Sequence, residues 1–495
     1  MAIPSSASIQ STLLAAQSAR DSGQWQRAID LYRQVEVEVP QSAEIKHNLG
    51  LSYLGMGQTQ KALDACLSAL KIKPSLWQST AIIAKAYQAL GQMELAQRYF
   101  QKMLGGPGEA QARIGLADLA MNEFGNPLGA IELVSSLSGN PEYRMDAQLT
   151  MLMASLYDRP SWDKPGNALA LSNQIRQFSK DYLRLPDVHF APFKNHDALY
   201  KKASYRPRVG IISPLFGVSP VYFLTIAGWR KIAKDCDVIV FSRGDQHDWA
   251  TAQFQEIASE WISVAHMPAV HLAQRIHQAD LDVLYDLGGW MDAVALQALS
   301  TKPARKMFKW VGGQSATTGL DCFDGWIGDQ YQSPERLQKL YSEPLVLIPE
   351  SYATYVPPSY MPKPLAWDQK SKTPCVFANP AKVSTPFLWA LHGLISEKGG
   401  EVVFIHRQYQ YPVIQERIRA VLGKRAHFVF PKTHLEALQA VNTHQVMIDT
   451  FPYSGGLTAR ETVALNAKVQ VLHVGELFCE RHTAKLFFAK DHEDQ

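Results

Sequence analysis

An α/α solenoid followed by an α/β part, built of two Rossmann-like halves facing a cleft, is the fold class this 495-residue sequence predicts. Three observations predict it: a 34-residue period in the first third, strand-helix alternation from Arg208 onward, and a proline-rich break that divides the alternation in two. At about 150 residues per domain the length calls for roughly three domains. Hydrophobic residues make up 46% and charged residues 19%, which supplies apolar surface for real cores and excludes global disorder.

The repeat comes first along the chain. Gly23, Gly57, Gly91 and Gly125 are each 34 positions apart, and Ala28, Ala62, Ala96 and Ala130 keep the same interval. Tyr32, Cys66, Phe100 and Val134 follow the alanines by one helical turn on the same face. Pro40, Pro74 and Pro107 end the units. Leu49-Gly50-x-x-Tyr53, followed by Ala62 and Pro74, matches the tetratricopeptide pattern. The alanine belongs where two antiparallel helices cross closely, the glycine at the tight turn, and the proline where the second helix stops. Residues 1–140 are therefore expected to form four helical hairpins, starting near residue 10. Beyond Pro127 the period fades while 146–156 and 165–178 still read as helical, so 141–205 is expected to be a helical cap or connector. Such an array serves either as a spacer and oligomerisation scaffold or as a groove for a polypeptide. The sequence leaves both open.

The first α/β half is expected over 206–360. Val209–Ser213, Asp237–Phe241, Trp261–Val264 and Asp282–Asp286 read as strands, with helical stretches 223–233, 249–258 and 271–278 between them. A second half, 361–495, repeats the alternation with strands beginning at Pro374, Glu401, His427, Val446 and Val469. Between them Tyr355–Pro364 holds four prolines in ten residues, which neither sheet can absorb. Ligands in such folds bind outside the carboxyl ends of the strands, here the cleft between the halves.

Charge and cysteines exclude several classes of function. Forty-nine Lys and Arg stand against 46 Asp and Glu, a formal +3 that is too weak to hold a nucleic-acid backbone. Five scattered cysteines without a CxxC pair fit neither a disulfide framework nor a zinc site, and the isolated His266, His271, His406 and His444 suggest no metal centre. The first residues lack a basic and apolar leader, and no run approaches 18 apolar residues. A soluble, reduced, cytoplasmic protein without a membrane partner is expected; a homo-oligomer is allowed.

The chemistry concentrates in Met447–Leu465. A buried strand ends at Asp449, a loop carries Gly455 and Gly456, and Thr458 with Glu461 three residues on reads as a capping box. Open amides at that helix start favour an anion, above all a pyrophosphate. Asn379-Pro-Ala-Lys382 follows the first strand of the same half, so Lys382 faces the same edge and can neutralise a leaving diphosphate. An ordinary strand-helix connection and a solvated lysine are the plainer alternatives. On the other half, Leu287-Gly-Gly-Trp290 leaves a buried strand, so Trp290 is either an acceptor-side wall or interdomain packing.

Asp449-Thr-Phe-Pro-Tyr-Ser-Gly-Gly-Leu-Thr458, Phe377-Ala-Asn-Pro-Ala-Lys382, Arg275-Ile-His-Gln278, Trp310-Val-Gly-Gly-Gln-Ser-Ala-Thr-Thr-Gly319, Ser333-Pro-Glu and Tyr341-Ser-Glu-Pro-Leu345 resemble stretches of the O-linked N-acetylglucosamine transferases and their bacterial relatives. The repeats ahead of them are also characteristic of that family. The resemblance implies a GT-B fold, a nucleotide-sugar donor, usually a uridine diphosphate sugar, and transfer to a protein side chain with neither metal nor other cofactor. It implies that Lys382 stabilises the leaving group, Asn379 lines the donor pocket, and Gly455, Gly456, Leu457 and Thr458 hold the pyrophosphate. It puts Glu461 in place of an acidic residue that contacts the ribose and His434 near the base.

Departures from the family pattern matter as well. Ser219 in Leu215-Phe-Gly-Val-Ser-Pro220 stands on the acceptor side where many members have histidine, and Gln274 stands where aspartate is familiar. His277 is then the titratable group retained in its segment and the candidate base; the alternative is a histidine on the outer face of an amphipathic helix. Gly456-Leu457 replaces the His-Thr of some members, and the helical segment that follows the second sheet in the family is not expected before Gln495.

The leading reading is a protein glycosyltransferase whose repeats present an acceptor polypeptide. Alternatives are a catalytically weak or inactive scaffold, motivated by Ser219 and Gln274, and a transferase acting on a glycan or lipid head group.

Overall fold

The computed structural model describes residues 6–194, 204–397 and 399–488. They divide into two compact units, Met1–Met151 and Leu152–Gln495. Among the described residues no helix is long and apolar enough to cross a membrane.

The first unit is a run of four helical hairpins: α1 (Ser6–Asp21) with α2 (Trp25–Glu38), α3 (Ala43–Gly55) with α4 (Thr59–Ile72), α5 (Trp77–Ala89) with α6 (Met93–Gln101), and α7 (Glu109–Asn122) with α8 (Pro127–Ser135). Gly23, Gly57, Gly91 and Gly125 sit in the four turns at φ of +70°, +71°, +74° and +57°, which a side chain would disfavour. Ala28, Ala62, Ala96 and Ala130 are fully buried, as expected of methyl groups at close helix crossings. Tyr32, Cys66, Phe100 and Val134 are buried beside them. The third unit departs from the period because Gly105-Gly106-Pro107-Gly108 unwinds its second helix after nine residues.

Helix α9 (Arg144–Ser155) spans the division between the units. Of the stretch expected as a helical cap or connector, 141–205, residues 195–203 lie outside the described residues, and the described part from Leu152 on belongs to the second unit. The reason is aromatic burial: Tyr157 stacks on Tyr453 at 4.5 Å, Trp162 lies 5.3 Å from Phe451, and Phe178 of α10 (Asn167–Phe178) lies 6.0 Å from Trp290. Polar ties accompany them, among them the Ser179 hydroxyl donating to the Thr318 carbonyl at 2.6 Å.

Two parallel sheets make up the rest. The first has seven strands, β1 (Arg208–Ser213), β2 (Asp237–Ser242), β3 (Glu260–Ser263), β4 (Val283–Asp286), β5 (Lys306–Lys309), β6 (Gly325–Asp329) and β7 (Leu345–Ile348), in the order β3-β2-β1-β4-β5-β6-β7. Its helices are α11 (Pro220–Asp235), α12 (Trp249–Ile257), α13 (Ala269–Gln278) and α14 (Ala293–Leu299). The second sheet has β8 (Cys375–Val376), β9 (Val402–Ile405), β10 (Ala426–Val429), β11 (Val446–Ile448) and β12 (Lys468–Gln470), in the order β10-β9-β8-β11-β12. Its helices are α15 (Thr385–Glu397), α16 (Pro412–Leu422), α17 (His434–Asn442), α18 (Leu457–Ala464) and α19 (Ala484–Phe488).

The strand order reverses between β1 and β4, where Ile212 pairs with Asp286, and again between β8 and β11, where Cys375 pairs with Met447. Loops leaving the carboxyl ends of these strands part company at the reversal points, and there a ligand crevice forms. The apolar cores lie behind it. Val209, Ile211, Phe223 and Trp229 pack in the first sheet, and Phe387, Phe404, Tyr409 and Ile418 in the second.

Candidate functional site

A cleft of about 310 Å³ opens at the carboxyl ends of both sheets, within the size range of small-molecule sites. Leu215 and Pro220 after β1, Met291 after β4 and Val311–Gln314 after β5 line it from the first sheet. From the second come Asn379 and Lys382 after β8, His406 after β9, Tyr453 and Gly456–Thr458 after β11, and Phe478 and His482 after β12.

The wall after β5 is fixed by a buried lysine. Lys309 is fully buried and its Nζ donates to the carbonyls of Asp286, Val311 and Gly312 at 3.0, 2.8 and 2.7 Å. Gly312 and Gly313 have φ of +47° and +58°, and a Cβ on either would come 2.0 Å from the Leu287 carbonyl or 1.9 Å from that of Gly288. Only glycine permits this approach of two loops. Further along, the buried Glu343 accepts from the Thr317 hydroxyl at 2.7 Å and the Thr318 amide at 2.8 Å. Burial pushes its carboxyl up and these donors hold its charged form. The stretches around Trp310 and Tyr341 are thus two sides of one loop lock.

The opposite wall is organised by Asp449, whose carboxylate accepts from the Thr450 and Gly455 amides and the Thr483 hydroxyl at 2.9, 2.8 and 2.7 Å. The Gly455 amide, expected among the phosphate donors, is therefore already taken, and the residue is buried. The amides of Gly456, Leu457 and Thr458 lie at the start of α18, where a helix offers them no internal acceptor. They border the cleft.

Lys382 is half-buried on the cleft floor, its Nζ donating to the Ser454 carbonyl at 2.9 Å and lying 4.3 Å from the centre of the Tyr453 ring. Desolvation pulls its pKa down to about 8, against the attraction of Asp449. It stays mainly protonated at neutral pH. Asn379 caps the turn Pro380–Lys382 by accepting from the Ala381 amide at 2.9 Å, which presents the lysine.

Among the other expected site residues, Glu461, His434, Trp290, Ser219 and His277 do not line the cleft. No capping box joins Thr458 and Glu461: α18 is preceded by Gly456, and Thr458 lies inside the helix. Glu461, 1% exposed, instead pairs with His434 at 2.8 Å. His434 also bonds the Tyr360 hydroxyl at 2.9 Å, so both its ring nitrogens are engaged within the protein and neither residue lines the cleft. Trp290 turns inward, donating from its indole to the Thr317 carbonyl at 2.9 Å, and its neighbour Met291 faces the cleft. Ser219 precedes α11 and its hydroxyl donates to the Leu215 carbonyl at 2.9 Å, so it sits at the rim without lining the cleft. His277 stands at the carboxyl end of α13, which leads into the amino end of β4 and so lies at the edge of the sheet away from the cleft. Its ring stacks on Phe190 at 4.4 Å; Gln274 on the same helix is exposed.

Two cleft histidines went unrecognised in the sequence. His406 accepts from the Gln408 amide at 3.3 Å, and burial pushes its pKa down to about 4. His482 lies beside Gly456 and is held well below the ordinary histidine value by burial and by Lys382 and Arg460.

Comparison with known proteins agrees with this architecture. Residues 180–356 match the model of glycosyl transferase family 41 and residues 13–76 that of the tetratricopeptide repeat. A probable UDP-N-acetylglucosamine–peptide N-acetylglucosaminyltransferase SPINDLY from Hordeum vulgare is 26% identical over 343 residues, 66% of this chain and 35% of that protein. A probable enzyme of the same kind, SEC from Arabidopsis thaliana, is 26% identical over 151 residues, 30% of this chain and 15% of that one. The chain thus spans about a third or less of the length of these curated relatives. A mutant of the O-GlcNAc transferase of Thermobaculum terrenum superposes with a TM-score of 0.60 at 20% identity, covering 100% of this chain and 88% of that one.

Proposed function

We propose that this chain, which is of the O-linked N-acetylglucosamine transferase-like family, moves a sugar from a uridine diphosphate donor to a side chain of a polypeptide recruited by its helical repeats. The observation that carries this reading is the convergence of the Lys382 ammonium and the open amides of Gly456–Thr458 on one cleft at the reversal points of two parallel sheets. A cation and a helix start together match the charge that develops on a departing diphosphate.

In this reading the sugar's anomeric bond to the diphosphate breaks, its electron pair stays on the phosphate oxygen, and the acceptor heteroatom forms the new bond and releases its proton. Lys382 and the α18 amides stabilise the leaving group, while the locked loop Val311–Gln314 forms the wall facing them. Among the described residues no carboxylate lines the cleft. His406 and His482, which do line it, are held below the ordinary histidine value and are weak bases, so general-base help, typically worth about 100- to 10,000-fold, is reduced and a slow transferase is expected.

That same lack of a strong base supports a second reading, a donor-binding scaffold without turnover. Intact-mass analysis of cellular proteins incubated with the purified chain and a panel of sugar nucleotides separates the two. A sugar-sized mass gain on a protein supports transfer. Donor binding with neither mass gain nor donor breakdown supports the scaffold.

A further inference from the structure

His482 borders the same cleft as Lys382 and Thr458, on the turn that follows Phe478–Glu480. Its backbone N–H donates to Ser454 Oγ at 2.9 Å, and Ser454 Oγ donates to the Cys479 carbonyl at 2.8 Å. The turn is thus tied to the residue whose carbonyl receives the Lys382 ammonium.

The imidazole is aimed by a buried amide. Gln332, 2% exposed, sets its Nε2 2.6 Å from His482 Nδ1, and Gln332 is itself hung on the loop after β6 by Asp329, which accepts its N–H at 2.8 Å. An amide N–H donating to Nδ1 leaves the ring proton on Nε2. Among the described residues nothing hydrogen-bonds that Nε2, and the ring is half-buried at the cleft. A donor has been positioned at the ligand's place and given no protein acceptor.

We propose that His482 is a leaving-group contact, its Nε2–H bonding an oxygen of the donor diphosphate beside Lys382 and the amides of Gly456–Thr458. The inference rests on the nucleotide-sugar reading of the cleft. The groups around the ring define its charge. Lys382 from the turn after β8 and Arg460 from α18 face it as cations, and the Tyr453 and Phe478 rings pack at 5.9 and 5.4 Å. The nearby carboxylates are engaged elsewhere, Asp449 with Thr483 and Glu480 with Arg159. Burial and these cations hold the imidazole well below the ordinary histidine value, so the Nε2–H of the uncharged ring, with Nδ1 still accepting from Gln332, is what meets the diphosphate oxygen.

Calorimetric titration with uridine and with uridine diphosphate tests this on wild type, His482→Ala and His482→Gln. The alanine variant is expected to lose at least about tenfold in affinity for uridine diphosphate, the effect of one hydrogen bond to a charged group, with affinity for uridine unchanged. The glutamine variant keeps an N–H donor and recovers most of the affinity. No loss in the alanine variant, or equal losses for both ligands, overturns the role of His482 and leaves the reading of the cleft intact. A wild type that binds no uridine diphosphate overturns both.

Discussion

Lys382 and Tyr453 form a stacked pair at the cleft floor, the ammonium 4.3 Å from the ring centre, and Tyr157 stacks at 4.5 Å on the same tyrosine. The ring excludes water from one side of the charge, which is why desolvation is the largest influence on this lysine. A cation already stripped of water meets an incoming phosphate with less solvent to displace.

The depressed lysine gives donor binding a pH limb of defined sign. Lys382 is charged below its pKa of about 8 and neutral above it, and a diphosphate binds the charged form. Affinity for uridine diphosphate is expected to fall above about pH 8, approaching tenfold per unit. Titrations across this range check it; Lys382→Met is expected to abolish the alkaline limb.

Gly313 tests the loop lock. With φ at +58° and a Cβ destined for 1.9 Å from the Gly288 carbonyl, Gly313→Ala meets both a backbone penalty of about 1–3 kcal/mol and a clash with main chain. Denaturant unfolding is expected to show the second unit destabilised by at least about 2 kcal/mol. An unchanged midpoint would mean that the loop is not held as described.

A buried ion pair supports the turn that carries Phe478 and His482. Arg159 and Glu480, 6% and 2% exposed, meet at 2.7 Å, and Glu480 also accepts the Glu476 and Leu477 amides at 2.9 and 3.0 Å. Arg159→Met leaves a buried carboxylate without its cation, a loss of about 3–5 kcal/mol, whereas removing both charges in Arg159→Met/Glu480→Met restores much of it. Thermal unfolding of both variants measures the difference. Equal destabilisation would show that packing, rather than the uncompensated charge, sets the loss.

The parts of this fold that repeat a pattern were legible in the sequence. Alanines and glycines at intervals of 34 marked the helix crossings and turns, and runs such as Val209–Ser213 and Asp237–Phe241 marked buried strands. Strands β5 to β7 escaped notice because their residues carry other burdens. Lys309 in β5 is a buried cation serving three carbonyls, β6 includes Gly325 and Gly328, and β7 is an edge strand with Val346, Leu347 and Ile348 more than a third exposed.

Site residues followed the same rule. Asn379, Lys382, Gly456, Leu457 and Thr458 lie within one turn of a strand end or helix start, so local order placed them at the cleft. Gly455, Glu461 and His434 needed knowledge of partners, since the amide goes to Asp449 and the carboxylate and imidazole to each other. His277 misled because helical periodicity reveals which face a residue occupies but not which end of the sheet that face reaches. His482 had no local signature at all; its position depends on Gln332, 150 residues earlier.

Calorimetric titration of uridine diphosphate into wild type and Lys382→Ala, under the same buffer at pH 7, tests the central claim that Lys382 and the start of α18 together hold the donor diphosphate. Loss of a charged partner to phosphate, a net contribution of about 1.5–3 kcal/mol, is expected to weaken binding by roughly 10- to 150-fold. Equal affinities in the two proteins would contradict the account and move the diphosphate away from Lys382.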